Sequence, residues 1–210
     1  MGIPVMILGA SGSGKSTSMR NFEPDEIGIF NVAGKPLPFR KKLPKVDNAT
    51  YGKIFKALQA PKLKAYVIDD SQYLMAFESF DHAKETGYAK FTNMAVNFRN
   101  LISFVVNQTP PDVIVYFLHH TELSEDGRIK AKTLGKMLDN QLTVEGLFSI
   151  VLLCQVEGSE HYFITNSDGT NPAKSPMDMF ELKIDNDLKF VDTTIREYYE
   201  LGGTSNESNQ

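Results

Sequence analysis

The chain has 210 residues, of which 41% are apolar and 23% charged, a balance that suits a globule with a buried core and excludes a disordered or fibrous polymer. Its net charge of −4 excludes a surface coated with cations for nucleic acid, though not a local cationic groove. No apolar run approaches the roughly 18 residues of a membrane-spanning helix, no basic region with a long apolar stretch marks a signal peptide, and the single Cys154 cannot form an internal disulfide, so the expected setting is the cytoplasm without membrane contact. In chain order, residues 3–8 read as a short buried strand, 9–16 as a Gly-rich loop and 15–21 as the opening of a helix. Residues 27–32 form a second strand, and the basic, Pro-rich stretch 35–46 a loop. Residues 51–59 suit a short helix, 65–68 a third strand running into Asp69-Asp70, and 72–84 and 91–107 two more helices, the second ended by Pro110-Pro111. The unbroken apolar run 113–118 suits a parallel strand covered on both faces. Residues 122–134 are polar loop or hairpin, 147–156 and 161–165 two strands joined by a turn at 157–160, 166–176 loop, and 186–201 a final helix. The expectation is one domain over 1–201 with a flexible polar tail at 202–210. Its strand–helix alternation predicts an α/β three-layer sandwich, mostly parallel with antiparallel edge strands.

The loop spells Gly9-Ala10-Ser11-Gly12-Ser13-Gly14-Lys15-Ser16, a full match to the phosphate-binding pattern G-x-x-x-x-G-K-[ST] in its required strand–loop–helix setting. Gly9, Gly12 and Gly14 admit backbone conformations closed to residues with a Cβ, so that successive N–H groups can face phosphate oxygens. The following helix start adds partial positive charge and includes Thr17. Lys15 is placed to reach the β- and γ-phosphates and the Ser16 hydroxyl to ligate Mg²⁺. Asp69 and Asp70 end a buried strand. The first would hold the ion, directly or through water, and the second would orient or activate the attacking water. His119-His120-Thr121 follow the 113–118 strand. His119 or Thr121 could sense the γ-phosphate by hydrogen bonding; because neighbouring strand residues face opposite ways, both His cannot line one site, and the pair reads equally as one core and one surface His. Four His and one Cys without ligand spacing offer no zinc site.

Two acid-free basic stretches stand out, 35–45 with Arg40, Lys41 and Lys42, and 128–136 with Arg128, Lys130, Lys132 and Lys136. Each could hold a nucleic-acid backbone, with Phe39 near to stack a base, and each could equally be a solvated surface. Helix 91–107 carries Phe91, Met94, Ala95, Phe98, Leu101, Ile102 and Val105 at helical spacing, which is core packing.

The run 6–18, the motif Val67-Ile68-Asp69-Asp70-Ser71-Gln72-Tyr73-Leu74, the stretch 132–138 and the segment 173–177 together resemble bacteriophage AAA-type ATP-binding proteins with a RecA-like core, some of which are single-strand annealing recombinases. The resemblance covers roughly residues 3–200. It implies a RecA-like P-loop fold and an Mg²⁺-dependent ATPase that acts on single-stranded DNA as a ring or filament of identical subunits, in the host cytoplasm, with a single-strand binding protein as a further partner. By the same analogy 122–136 stands at the mobile DNA-binding loop, and Lys174, or else Lys130 or Lys132, acts in trans on the neighbouring subunit's ATP. The chain departs from the pattern at Asn31-Val32-Ala33-Gly34-Lys35, where such ATPases carry a catalytic Glu; this implies slow hydrolysis or reliance on Asp70. The Asp-Asp-Ser-Gln-Tyr-Leu run also resembles AAA+ initiators and helicase loaders, without the helical lid domain that these carry. The alternative is therefore an ATP-dependent loader or switch acting on a replication or packaging protein. A small-molecule kinase ranks last because its few Arg residues do not cluster, and the absence of an Asn-Lys-x-Asp motif favours ATP over GTP.

Overall fold

The computed structural model describes residues 1–134 and 142–202. The strands are β1 (Ile3–Gly9), β2 (Ile27–Asn31), β3 (Lys45–Asp47), β4 (Ala65–Asp69), β5 (Ile114–Leu123), β6 (Ile129–Ala131), β7 (Ile150–Glu157), β8 (Glu160–Ile164) and β9 (Lys183–Asp185). The helices are α1 (Tyr51–Gln59), α2 (Tyr73–Asp81), α3 (Ala89–Gln108) and α4 (Leu188–Tyr198). Among the described residues, nine strands join one sheet in the order β3-β2-β4-β5-β1-β7-β8-β9, with β6 hairpinned onto β5. From β3 to β7 every neighbouring pair is parallel, whereas β8 and β9 pair antiparallel.

Period-2 alternation sorts the apolar residues of each strand to the two faces. Met6, Leu8, Val115 and Phe117 meet α1, α2 and α3 through Ile54, Leu58, Met75, Phe98 and Leu101. Val5, Ile7, Ile114, Tyr116 and Leu118 meet Met19, Phe22 and the α4 residues Leu188, Val191 and Ile195. Helices therefore cover both faces, which makes a three-layer α/β arrangement and explains why β1, β4 as far as Ile68 and the first half of β5 are runs of uncharged, mostly apolar residues.

Two of the helices carry side-chain N-caps. Thr50 Oγ1 accepts from the Lys53 amide of α1, and Asp187 accepts from the Lys189 and Phe190 amides of α4. A buried polar network ties α4 to the sheet: the Tyr116 hydroxyl donates to Asp192 Oδ1 at 2.8 Å, and Arg196 Nε donates to Asp192 Oδ2 at 2.7 Å. The same guanidinium donates to the carbonyls of Asp112 and Lys64, so one side chain closes the start of β5 and the approach to β4.

The structure refines several expectations. The helix expected after the Gly-rich loop is a 3₁₀ helix of six residues, Ser16–Asn21. Phe22 already has extended backbone and Pro24 follows two residues later, which stops any continuation. β5 runs five residues past the apolar stretch that predicts it, because Thr121, Glu122 and Leu123 pair with Ala131, Lys130 and Ile129. Of the loop or hairpin expected for this polar segment, the structure has the hairpin. The three-residue strands β3, β6 and β9 have no periodicity to announce them; backbone pairing alone defines them. Among the described residues, no helix is long and apolar enough to cross a membrane. The tail beyond 202 lies outside the described residues.

Candidate nucleotide site

The parallel register brings three strand ends to one line. Gly9 of β1 lies beside His120 of β5, Leu8 beside His119, and on the other side of β5 Ile68 of β4 lies beside Phe117. The Gly-rich loop, the Asp69-Asp70 pair and the two His residues therefore meet beyond the C-terminal ends of the strands, where open α/β sheets take ligands. Here lies a cleft of about 400 Å³ lined by Ser11, Gly12, Gly14, Lys15, Ser16, Thr17, Lys35, Asp69, Asp70, His120 and His161 among others.

Within the loop, Gly12 and Gly14 take φ of +80° and +101°, left-handed values that a Cβ disfavours. At Gly14 a Cβ would also lie 2.8 Å from His161 Nδ1, and at Gly9 one would lie 2.9 Å from the Cys154 carbonyl oxygen. Lys15 Nζ donates to the Gly9 and Ala10 carbonyls at 2.8 and 2.9 Å, which folds the ammonium back over its own loop. Burial pushes the Lys15 ammonium below its ordinary value, while Asp70 and Asp69 pull it back up. The Ser13 amide is used inside the loop, donating to the Ala10 carbonyl. The Ser13 carbonyl accepts from His161 Nδ1 at 2.8 Å and from the Cys154 thiol at 3.0 Å. Burial pushes that thiol up to about 11, so it serves as a neutral donor. The six-residue 3₁₀ turn after the loop lends little macrodipole, so the cradle relies on its backbone and on Lys15.

Across the cleft, the Ser16 hydroxyl donates to Asp69 Oδ1 at 2.8 Å. Burial raises the Asp69 carboxyl, and the Ser16 hydrogen bond and the Lys15 charge oppose that rise. Among the described residues, no three His, Cys, Asp or Glu side chains gather as a metal cage. Mg²⁺ does not ask for one: it takes one or two carboxylates, keeps several waters and completes its shell with substrate phosphates. A serine hydroxyl and a carboxylate in contact beside the Gly-rich loop fit that ion.

Asp70 has φ of +60°, so the chain turns sharply as it leaves β4. Its carboxylate accepts from Lys35 Nζ at 2.8 Å and from His120 Nε2 at 3.1 Å. Burial pushes its pKa up, but these two hydrogen bonds outweigh burial and hold it at about 2.

The two histidines divide as strand alternation requires, and the one facing the cleft is His120. His119 is fully buried, with its ring 5.6 Å from that of Phe98 on α3. Its Nε2 donates to the Lys132 carbonyl at 2.8 Å, which leaves Nδ1 as the acceptor for the Ser71 hydroxyl at 2.9 Å. The expected γ-phosphate sensor His119 is therefore a core residue that ties the β5–β6 hairpin to the Asp69-Asp70-Ser71 turn. Burial holds the His119 pKa down at about 4.

The other expected site residues lie elsewhere. Lys174 pairs backbone to backbone with Val151 and does not line the cleft. Lys41 donates to Glu23 Oε1 at 2.9 Å, whereas Arg40 and Lys42 are exposed and form no ion pair among the described residues. Arg128 pairs with Asp126, and Lys130 with its cross-strand partner Glu122, each at 3.1 Å. Lys132 is exposed at the hairpin end, and Lys136 lies outside the described residues. Sequence reasoning missed two cleft residues, Lys35 and His161. Lys35 reads in the sequence only as part of a basic loop, with its place between Gly34 and Pro36 after a buried strand as the available signal; nothing near His161 in the chain points to the Gly-rich loop.

The chain matches no protein-family model, and no curated protein matches it.

Proposed function

We propose that this chain is an Mg²⁺-dependent, ATP-binding P-loop hydrolase with a RecA-like core of the bacteriophage type, acting on single-stranded DNA in annealing or recombination. The observation that carries the reading is the Ser16–Asp69 hydrogen bond. It joins the phosphate loop to the acidic strand across β5, at the mouth of a cleft floored by Lys15. The chain order supports the same reading: loop strand, acidic strand, a strand ending in polar residues, a basic hairpin, then an antiparallel pair. In this site the backbone around Gly12 and Gly14 cradles phosphates and Lys15 turns from its loop carbonyls to phosphate oxygens. Ser16 and Asp69 hold Mg²⁺, which when bound neutralises phosphate charge and orients the substrate. Asp70, held by His120, is the group placed to orient an attacking water. Lys174 belongs to this reading only as a residue offered to a neighbouring subunit's site.

A second reading has its own support. Arg128, Lys130 and Lys41 are neutralised by nearby acids, which weakens the cationic face expected for DNA. Beside His120 lies a pocket of about 240 Å³ lined by Tyr73, Ala76, Phe80 and Leu134, and Phe77 and Phe80 are exposed on α2. That surface suits an ATP-dependent loader or switch that engages a protein.

The test is nucleotide binding and turnover in the wild type and in Lys15→Ala, with and without single-stranded DNA. Loss of ATP binding in Lys15→Ala is expected, together with wild-type turnover that rises with DNA. Equal affinity in the two proteins would sink the phosphate-site reading, and turnover indifferent to DNA would favour the protein-directed switch.

A further inference from the structure

The cleft holds a second cation that the phosphate-loop motif does not account for. Lys35 projects into it from the loop after β2. Its backbone is pinned: Asn31 Nδ2 donates to the Lys35 carbonyl and to Asp47 Oδ1, each at 2.6 Å. Gly34 before it has φ of +68°, with Asn48 Oδ1 2.6 Å from where a Cβ would stand, and Pro36 follows. The side chain, by contrast, is 60% exposed and carries one direct hydrogen bond, to Asp70 Oδ2 at 2.8 Å, with the Tyr73 ring 5.2 Å away. A backbone held by hydrogen bonds thus delivers an exposed ammonium to the acidic side of the cleft.

The charges around it say what that ammonium is for. Asp69 and Asp70 sit where the end of a bound phosphate chain would approach the Ser16–Asp69 pair. A terminal phosphate arriving there meets a carboxylate of like charge, an encounter that costs free energy unless a cation stands between them. Lys15 is committed to the other wall, at the Gly9 and Ala10 carbonyls. Lys35 can leave Asp70 without stranding it, because His120 Nε2 still donates to Asp70 Oδ1. The exchange trades one charge-assisted hydrogen bond for another at little cost.

We propose that Lys35 is the second phosphate ligand of this cleft, exchanging its bond to Asp70 for one to the terminal phosphate of a nucleoside triphosphate. The proposal rests on the nucleotide reading of the site. A nucleoside diphosphate, held by the loop and Lys15, leaves Lys35 on Asp70. Lys35 therefore sets the preference for triphosphate over diphosphate.

The experiment is equilibrium binding of a non-hydrolysable ATP analogue and of ADP, each with Mg²⁺, to the full chain as wild type, Lys35→Ala, Lys35→Arg and Lys15→Ala. Lys35→Ala should weaken the triphosphate on the order of tenfold or more, the scale of one lost hydrogen bond between charged groups. ADP should change by less than about threefold, with Lys35→Arg recovering most of the difference. Thermal melts matched to wild type show that the variants are folded, and Lys35→Met, which keeps the stem, replaces Lys35→Ala if that variant is not. An unchanged triphosphate-to-diphosphate ratio in a folded Lys35→Ala, in a series where Lys15→Ala abolishes binding, overturns this proposal alone. Failure of the wild type to bind either nucleotide overturns it together with the function above.

Discussion

Acidification from pH 7 to pH 5 is expected to destabilise this protein chiefly through one buried imidazole. His119 is fully buried, and its pKa is held at about 4 because burial penalises its charged form. In the unfolded chain the ring returns to its ordinary value of about 6.5. The folded state binds the proton less readily, so the stabilisation is complete above about pH 6.5 and is lost as pH falls toward the folded-state value. A shift of this size corresponds to about 3 kcal/mol once both states are protonated, and to about 2 kcal/mol between pH 7 and pH 5. Charging the ring reverses one local bond: Nδ1–H then donates to the Ser71 hydroxyl oxygen, whose own proton goes to the Leu118 carbonyl, so the cost lies in burying the charge. Asp70, at about 2, titrates well below this window. His82, raised by its contact with Glu85, shifts in the direction that adds stability on acidification, and so works against the expected loss. Urea denaturation at the two pH values, for wild type and His119→Gln, measures the effect. The variant should be the less stable protein at pH 7 yet lose markedly less on going to pH 5. A His119→Gln protein with the full acid sensitivity of wild type would refute the assignment.

Two further predictions concern the α4 anchor and the basic loops. Asp192→Ala leaves Arg196 and the Tyr116 hydroxyl without their buried partner and should cost about 3 kcal/mol, roughly 6–12 °C in Tm, whereas Tyr116→Phe should cost only about 1 kcal/mol; calorimetric melts that rank the two the other way would contradict the network. If single-stranded DNA binds through the loop after β2, neutralising the exposed Arg40 and Lys42 should lower the salt slope of binding by about 1.4, while neutralising Arg128 and Lys130, already paired with acids, should change it less. Fluorescence anisotropy titrations at several salt concentrations read both slopes, and equal slopes for all variants would remove these loops from the DNA contact.

What the amino-acid sequence determined by itself is the chemistry carried by consecutive residues. The phosphate-loop pattern at 9–16 and the Asp pair at 69–70 lie in contiguous runs whose flanking apolar strands are also local, so both the motif and its setting can be read along the chain. The long helix α3 and the start of β5 are legible for the same reason, since periodicity and unbroken hydrophobicity are local signals. The tertiary structure alone decided what depends on lateral neighbours. Placing β5 between β1 and β4 put Ser16 within 2.8 Å of Asp69, and the phase of β5 sent His119 into the helix layer and His120 into the cleft. Strand pairing set Glu122 against Lys130 and turned an apparently cationic stretch into a neutralised hairpin. The loop after β2, folded over the strand ends, brought Lys35 to Asp70. Local propensity says which face a residue would take once a strand's phase is known; only the packed sheet, which makes each wrong phase cost a buried apolar row, sets that phase and the partners across it.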